Sequence, residues 1–361
     1  MTEDKDLQAL TEFSGSANVL SVYLDTFLAQ HPKEALKLMF REAIKRLDKE
    51  PNPKDIDAVA RFLDLEYDWQ PRGLAIFSSG KELWKTVPLP IPVRTRAYLS
   101  PHPYMRTLID VMDRFGKYCV ALIDHQDARL FLVDHGVITS EAELAGDEVR
   151  RHRQGGWSER QIERRTENIA ERNVKQSIEA LEDLVARTDC GRVMLAGSDE
   201  ILSQVQNLLP DPLRRKVIAV FIADMEATPK EILAMSLDVA AQVDWEEEQK
   251  LVDQAITAAA KGGAGTIGLA DTLYQLYQGR VHQLLVTEDL AAEGFVCARC
   301  GYLATVRSSP CPLCGYDEMV GTPDVVNLAI TKAIETGASV NIVRQNDKLT
   351  QAGGVAALMR Y

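Results

Sequence analysis

Neither a GxGxxG nor a GxxxxGK[ST] motif follows any strand-like run of this sequence, so the common glycine-rich phosphate cradles are excluded. The longest apolar runs, such as Val217–Ala223, fall far short of the roughly 20 residues that a membrane-spanning helix needs. The opening Met1-Thr2-Glu3-Asp4-Lys5-Asp6 lacks the basic flank and apolar core of a signal peptide. There is no internal repeat, no low-complexity tract and no carboxylate cluster of the metal-dependent nuclease kind. These absences point to a soluble globular protein of the cytoplasm, without a membrane partner. At 361 residues, 46% hydrophobic and 26% charged, the chain has room for two or three domains of ordinary size.

Periodicity predicts an α/β protein in three segments. In residues 1–114, Val19–Leu24 and Arg72–Ser78 read as strands, and Glu34–Lys49 and Asp55–Leu65 as helices. Pro51 and Pro53 end the first of these helices, and the proline-rich stretch Val87–Val93 reads as an edge or linker. In residues 115–244, strands Tyr118–Ile123 and Arg129–Asp134 form a hairpin around a turn at Asp124–Asp127. A long helix follows from Ser158 to about Thr188, with Ile162, Ile169, Val174, Ile178, Leu181 and Val185 as its buried stripe. At 1.5 Å per residue it is about 45 Å long, and its polar first half is expected to project from the core. Val193–Gly197 and Val217–Ala223 read as core strands flanking a helix over Glu200–Leu209. In residues 245–361 the pattern predicts helices over Glu246–Ala260, Gly268–Gln278 and Asp324–Glu335, and strands over Val281–Val286 and Ser339–Val343. Lys261-Gly-Gly-Ala-Gly265 is a loop, weak as a phosphate site because no Lys-Ser/Thr follows it.

Charge is distributed unevenly. The net charge is −12, yet Arg150–Lys175 holds eight Lys and Arg against four Glu, so that window is +4 and the remainder −16. At its centre lie Gly155 and Gly156, whose missing Cβ atoms let the backbone approach another molecule closely. Arg150, Arg151, His152 and Arg153 precede the pair, and Arg160, Arg164, Arg165, Arg172 and Lys175 follow it. A basic island in an acidic chain points to RNA as a specific partner, and away from indiscriminate polyanion binding or DNA. A flexible turn before a solvated helix is the blander reading. Ser158 and Gln161 have the spacing of a helix capping box, and Glu171 and Lys175 that of an ordinary helical ion pair.

Six cysteines are present. Cys119 and Cys190 stand alone in apolar or helix-ending contexts and read as packing residues. Cys297-Ala-Arg-Cys300-Gly and Cys311-Pro-Leu-Cys314-Gly are two CxxCG knuckles. Each knuckle supplies two corners of a tetrahedron, and together they predict a structural Zn²⁺ in a zinc-ribbon-like insert over residues 295–318. Iron and disulfide pairing are the alternatives for such a set.

Gly155-Gly-Trp-Ser158, the arginine-rich helix, Val193-Met-Leu-Ala-Gly-Ser198, the block from Lys261 to Leu290 and the terminal Gly353-Gly-Val-Ala-Ala-Leu-Met-Arg-Tyr361 together resemble the archaeal and eukaryotic class-one peptide-chain release factor family, including Pelota and bacterial homologues. The resemblance covers about residues 115–361 well and residues 15–110 loosely. It implies an N-terminal domain in the decoding position (1–114), a central domain with a glycine tip and long helix (115–244), and a domain of the GTPase-binding type with a zinc insert (245–361). The partners it implies are the ribosome at its A site, peptidyl-tRNA and an elongation-factor-type GTPase.

Two features depart from the family pattern. Trp157 stands where the family has the glutamine of GGQ, with Gln154 the nearest preceding glutamine. The first segment has neither Asn-Ile-Lys-Ser nor Tyr-x-Cys-x-x-x-Phe, the family's stop-codon readers. The resemblance therefore implies stop-codon-independent hydrolysis of peptidyl-tRNA on stalled ribosomes, with Gln154, Gly155, Gly156 and Trp157 at the reacting end. The alternative is a hibernation factor that occupies the A site and peptidyl-transferase centre without catalysis.

Overall fold

The computed structural model describes residues 9–13, 15, 17–28, 32–69, 71–89, 91–114, 116–149 and 159–361, with backbone alone for 113–114 and 159–166. The chain divides into two compact units, Met1–Asp113 with Trp245–Tyr361, and Arg114–Asp244. Both mix helix and sheet, so the protein is α/β and multidomain.

In the first segment the elements are β1 (Val19–Asp25), α1 (Lys33–Lys45), α2 (Pro53–Leu65), β2 (Gly73–Ser79), β3 (Leu83–Leu89), β4 (Arg96–Ser100) and α3 (Arg106–Arg114). The sheet is antiparallel in the order β3-β2-β1-β4. Phe40, Val59 and Leu63 from the two helices pack on Leu20, Val22, Leu24, Leu74 and Ile76. The first helix stops at Lys45, four residues before the expected end, and Pro53 begins a helix where it was expected to end one. The Asn52 side chain accepts from the Lys54 N–H at 3.0 Å, and Pro53 sits at the first helical position, where its missing N–H loses nothing. Part of the proline-rich stretch is strand: among the described residues β3 pairs with β2 alone, and such an edge tolerates Pro88.

The unit Arg114–Asp244 holds β5 (Tyr118–Ile123), β6 (Asp127–Asp134), β7 (Val137–Ala145), α4 (Glu159–Thr188), β8 (Val193–Gly197), α5 (Asp199–Leu208), α6 (Asp211–Arg214), β9 (Val217–Ile222) and the start of α7 (Pro229–Ala260). Its sheet runs β7-β6-β5-β8-β9, with β5, β8 and β9 parallel. One face takes α4 and α5, where Val174, Ile178, Leu181 and Val205 bury against Ala121, Ile123 and Leu195. The other face takes α7 through Ile232 and Ala240, on Val120, Leu122 and Met194. Expected as a core strand, β9 is an edge: Val220 and Ile222 are exposed. Cys119 and Cys190 do not stand alone. Cys190 lies beside Cys119 in the core, its thiol donating to the Arg192 carbonyl at 3.2 Å, and this neighbour together with burial raises the Cys119 pKa.

The helix expected from Glu246 begins at Pro229. Thr228 and Glu231 form a capping box there, Glu231 Oε2 accepting from the Thr228 N–H at 2.8 Å, and no glycine or proline interrupts the chain from Lys230 to Ala260. After it come β10 (Gly265–Ile267), α8 (Leu269–Tyr277), β11 (Val281–Thr287), β12 (Gly294–Cys297), β13 (Leu303–Ala304), β14 (Met319–Thr322), α9 (Val325–Glu335), β15 (Ser339–Val343), α10 (Asp347–Gln351) and β16 (Val355–Met359). The four-stranded sheet has the order β10-β16-β11-β15, and β12–β14 form a separate three-stranded sheet. No helix among the described residues is long and apolar enough to cross a membrane.

Candidate functional site

Residues 150–158 lie outside the described residues. They include Arg150, Arg151, His152, Arg153, Gln154, Gly155, Gly156 and Trp157. The side chains of Arg160, Arg164 and Arg165 also lie outside them. The structure describes both flanks of this segment. On the helical side, α4 starts at Glu159, its Glu167 and Asn168 exposed and its stripe from Ala170 through Val174, Ile178, Leu181 and Val185 buried. Arg172 pairs with the Asp147 carboxylate. Lys175 pairs with Glu171 at 2.7 Å, the helical ion pair that the spacing predicts. Both cations are more than half exposed, so these pairs are weak.

On the strand side, β7 gives way to residues 146–149, which lie beside α4. The Asn173 side chain, 2% exposed, accepts from the Asp147 N–H at 3.0 Å and donates to the Asp147 carbonyl at 2.8 Å and the His125 carbonyl at 3.2 Å. The β5–β6 turn supplies further contacts. Asp127 Oδ1 accepts from Gly146 N–H at 3.2 Å, and Gln126 Oε1 from Val149 N–H at 3.3 Å. That turn is an Asx turn, as expected of Asp124–Asp127: Asp124 Oδ1 accepts from the backbone of Gln126 and Asp127. Sequence reasoning passed over Asn173. Its one signal is a polar residue beside Val174, on the apolar stripe of α4, where an amide needs a partner.

The four knuckle cysteines come together. Their Sγ atoms all lie within 4.8 Å of one another, with Cys297 and Cys314 3.6 Å apart and Cys300 and Cys311 3.8 Å apart. Tetrahedral zinc, with Zn–S bonds of about 2.3 Å, separates its sulfurs by about 3.8 Å, so the set is compatible with such a site. The two knuckles repeat one backbone design. The Gly301 N–H donates to the Cys297 carbonyl and the Gly315 N–H to the Cys311 carbonyl, both glycines at φ near 70°. A left-handed φ suits glycine, which explains the G in each CxxCG. Burial disfavours the Cys297 thiolate, but N–H groups of Cys300 and Arg299 and neighbouring thiols outweigh it, bringing the pKa down to about 6. Lys261–Gly265 is the C-terminal cap of α7: the Gly263 N–H donates to the Ala258 carbonyl, and Gly262 is left-handed.

Residues 103–241 match the model of bacterial archaeo-eukaryotic release factor family 10. Over that span, less than half of its length, the chain is similar to release factors. The matched span contains the glycine pair, α4 and the strap of residues 146–149. Peptide chain release factor subunit 1 of Methanobrevibacter smithii is 24% identical over 290 residues, covering 73% of this chain and 68% of the relative. The same-named protein of Methanopyrus kandleri is 26% identical over 228 residues, covering 60% of this chain and 51% of its own. The structure of S. cerevisiae Dom34, described as a translation termination-like factor, covers 82% of this chain and 81% of its own at 11% identity, with a TM-score of 0.43.

Proposed function

We propose that this protein acts on the ribosome, in the cytoplasm, as a release-factor-like peptidyl-tRNA hydrolase that works without reading a stop codon. The observation that carries this reading is the family match over 103–241, because it spans the Gly155-Gly156 pair and the helix that follows. The basic window Arg150–Lys175 in an otherwise acidic chain supports an RNA-lined destination, with Arg150, Arg151, His152, Arg153, Arg160, Arg164, Arg165, Arg172 and Lys175 as phosphate contacts.

The chemistry is ester hydrolysis. Water attacks the carbonyl carbon of the peptidyl ester, the bond to the terminal ribose oxygen breaks, and a proton from that water ends on the departing oxygen. Gly155 and Gly156 let the tip approach, and the Trp157 backbone N–H donates to the ribose oxygen as charge develops there. Gln154 takes the water-orienting role of the family's glutamine. The departure from GGQ favours one second reading, a hibernation factor: Trp157 stacks on a nucleobase and the tip fills the peptidyl-transferase centre without reaction.

Cys297, Cys300, Cys311 and Cys314 hold a structural zinc in a zinc-ribbon-like insert, which gives the three short strands β12–β14 a covalent centre in place of a sizeable core. The separate cores of the first and last segments support reading residues 1–114 and 245–361 as two domains, with the central one between them in sequence and the last a dock for an elongation-factor-type GTPase.

The test is single-turnover peptide release from purified peptidyl-tRNA–ribosome complexes with sense, stop or empty A sites. Equal release on all three is expected. Release confined to stop codons overturns codon independence, and ribosome binding with no release selects the second reading.

A further inference from the structure

We infer that Asn173, with Gln126 and Asp127, is the positioning clamp that sets how the tip leaves the central domain, an inference that rests on the tip being the acting end. Residues 146–149 are the last described residues before the tip, and they belong to no strand or helix. Such a strap has no ladder partner, so its backbone groups need satisfaction elsewhere.

Side chains provide it. Asn173 is an adaptor that presents an acceptor and a donor to one residue, Asp147, as a neighbouring strand would. Its remaining N–H reaches the His125 carbonyl, tying the strap to the β5–β6 turn. The carbonyl of Asn173 in turn accepts from the Ser177 hydroxyl at 3.0 Å. Asp127 and Gln126 capture the N–H groups of Gly146 and Val149 from the turn side. Three of the four strap N–H groups are thus held by side chains of α4 and the β5–β6 turn.

Gly146 makes the close fit possible. A Cβ there would lie 2.1 Å from the Gln126 carbonyl oxygen and 2.7 Å from Asn173 Cγ, so any larger residue forces the strap off α4. Arg172 adds a charge contact to the Asp147 side chain. The helix itself is anchored by Val174, Ile178 and Leu181 in the core. The clamp therefore ties one flank of the tip to the element that carries its other flank. Misplacing a reacting group by about 1 Å can lower a rate about a hundredfold, so the register of this strap matters to any chemistry at the tip.

The test uses the full chain and three variants. Asn173→Asp keeps the acceptor but turns the donor that faces two carbonyls into a second acceptor. Gln126→Ala removes the acceptor for Val149, and Gln126→Glu restores one. Amide hydrogen exchange at residues 146–149 should rise at least about tenfold in Asn173→Asp and Gln126→Ala and return towards wild type in Gln126→Glu, as opening frees the held groups. The single-turnover release rate at saturating ribosomes should fall about tenfold or more in the first two and recover in the third, with the half-saturating concentration nearly unchanged. A merely structural role would lower the thermal midpoint and the active fraction but leave that rate constant alone. If wild type releases nothing, the hydrolase reading fails, and the clamp is read in ribosome affinity, expected about tenfold weaker in the first two variants and restored in the third. Unchanged exchange, or raised exchange with unchanged rate and affinity, overturns the clamp.

Discussion

The Nη2 atom of Arg344 lies 2.6 and 2.5 Å from the two carboxylate oxygens of Asp110, 234 residues earlier in the chain. The Nε of the same guanidinium reaches Glu288 at 2.9 Å. Near this pair, the Arg106 guanidinium donates to the carbonyls of Thr287 and Leu290, and Asn327 exchanges hydrogen bonds with the Met105 N–H and the Pro103 carbonyl. Polar side chains thus weld the end of the first segment to the last one, and the two segments form one compact unit.

Removing one partner of this weld should leave the other stranded. Asp110→Ala is expected to destabilise the unit of Met1–Asp113 and Trp245–Tyr361 by about 1–3 kcal/mol, below the cost of breaking a fully buried ion pair because both groups are partly exposed and Glu288 remains. Denaturant titration with probes in each unit checks it. Equal loss in both units, or none in either, would contradict the weld.

One zinc per chain is expected by elemental analysis of untagged protein, and Cys311→Ser should lose it and loosen residues 295–318 while the central unit stays folded. Protons compete with metal for thiolates. All four thiolates must be deprotonated to bind zinc, so zinc release should rise as the pH is lowered, followed with a colorimetric chelator. Iron at full occupancy would refute the assignment.

Ribosome affinity should depend on salt through Arg150–Lys175. Changing Arg160, Arg164 and Arg165 together to Gln is expected to lower affinity and to flatten the slope of log K against log salt by about 2–3, near 0.7–0.9 for each phosphate no longer neutralised. Cosedimentation across a salt series measures it. An unaltered slope would make this helix face plain solvated surface.

At the tip, backbone chemistry and side-chain chemistry predict different variants. If the N–H of residue 157 acts, Trp157→Gln should retain or raise release, and Gly156→Ala should abolish it by restricting the backbone and blocking close approach. Gln154→Ala should slow release with binding unchanged if Gln154 orients the water. If no variant and no wild type releases peptide, Trp157→Ala should instead weaken occupancy by about 1–3 kcal/mol, the worth of one stacked base.

Local sequence determined the pieces. The strand at Val19, the amphipathic run that places Val174, Ile178 and Leu181 inward, and the hairpin around Asp124 are legible because period and turn chemistry act within a few residues. The cysteine knuckles are legible for the same reason: each CxxCG fixes two sulfurs and a left-handed glycine without help from afar, and two such units converge. What tertiary structure decided is what depends on distant partners. Whether Val217–Ile222 is core or edge depends on which strand lies beside it. Cys119 and Cys190 become neighbours when β5 and β8 pair. Asn173 reads as an ordinary helix residue until residues 146–149 pass over it, and Asp110 as surface until Arg344 arrives. Propensity and pattern are written in adjacent residues, but a side-chain amide or carboxylate takes its role from whichever chain segment the fold brings within about 3 Å.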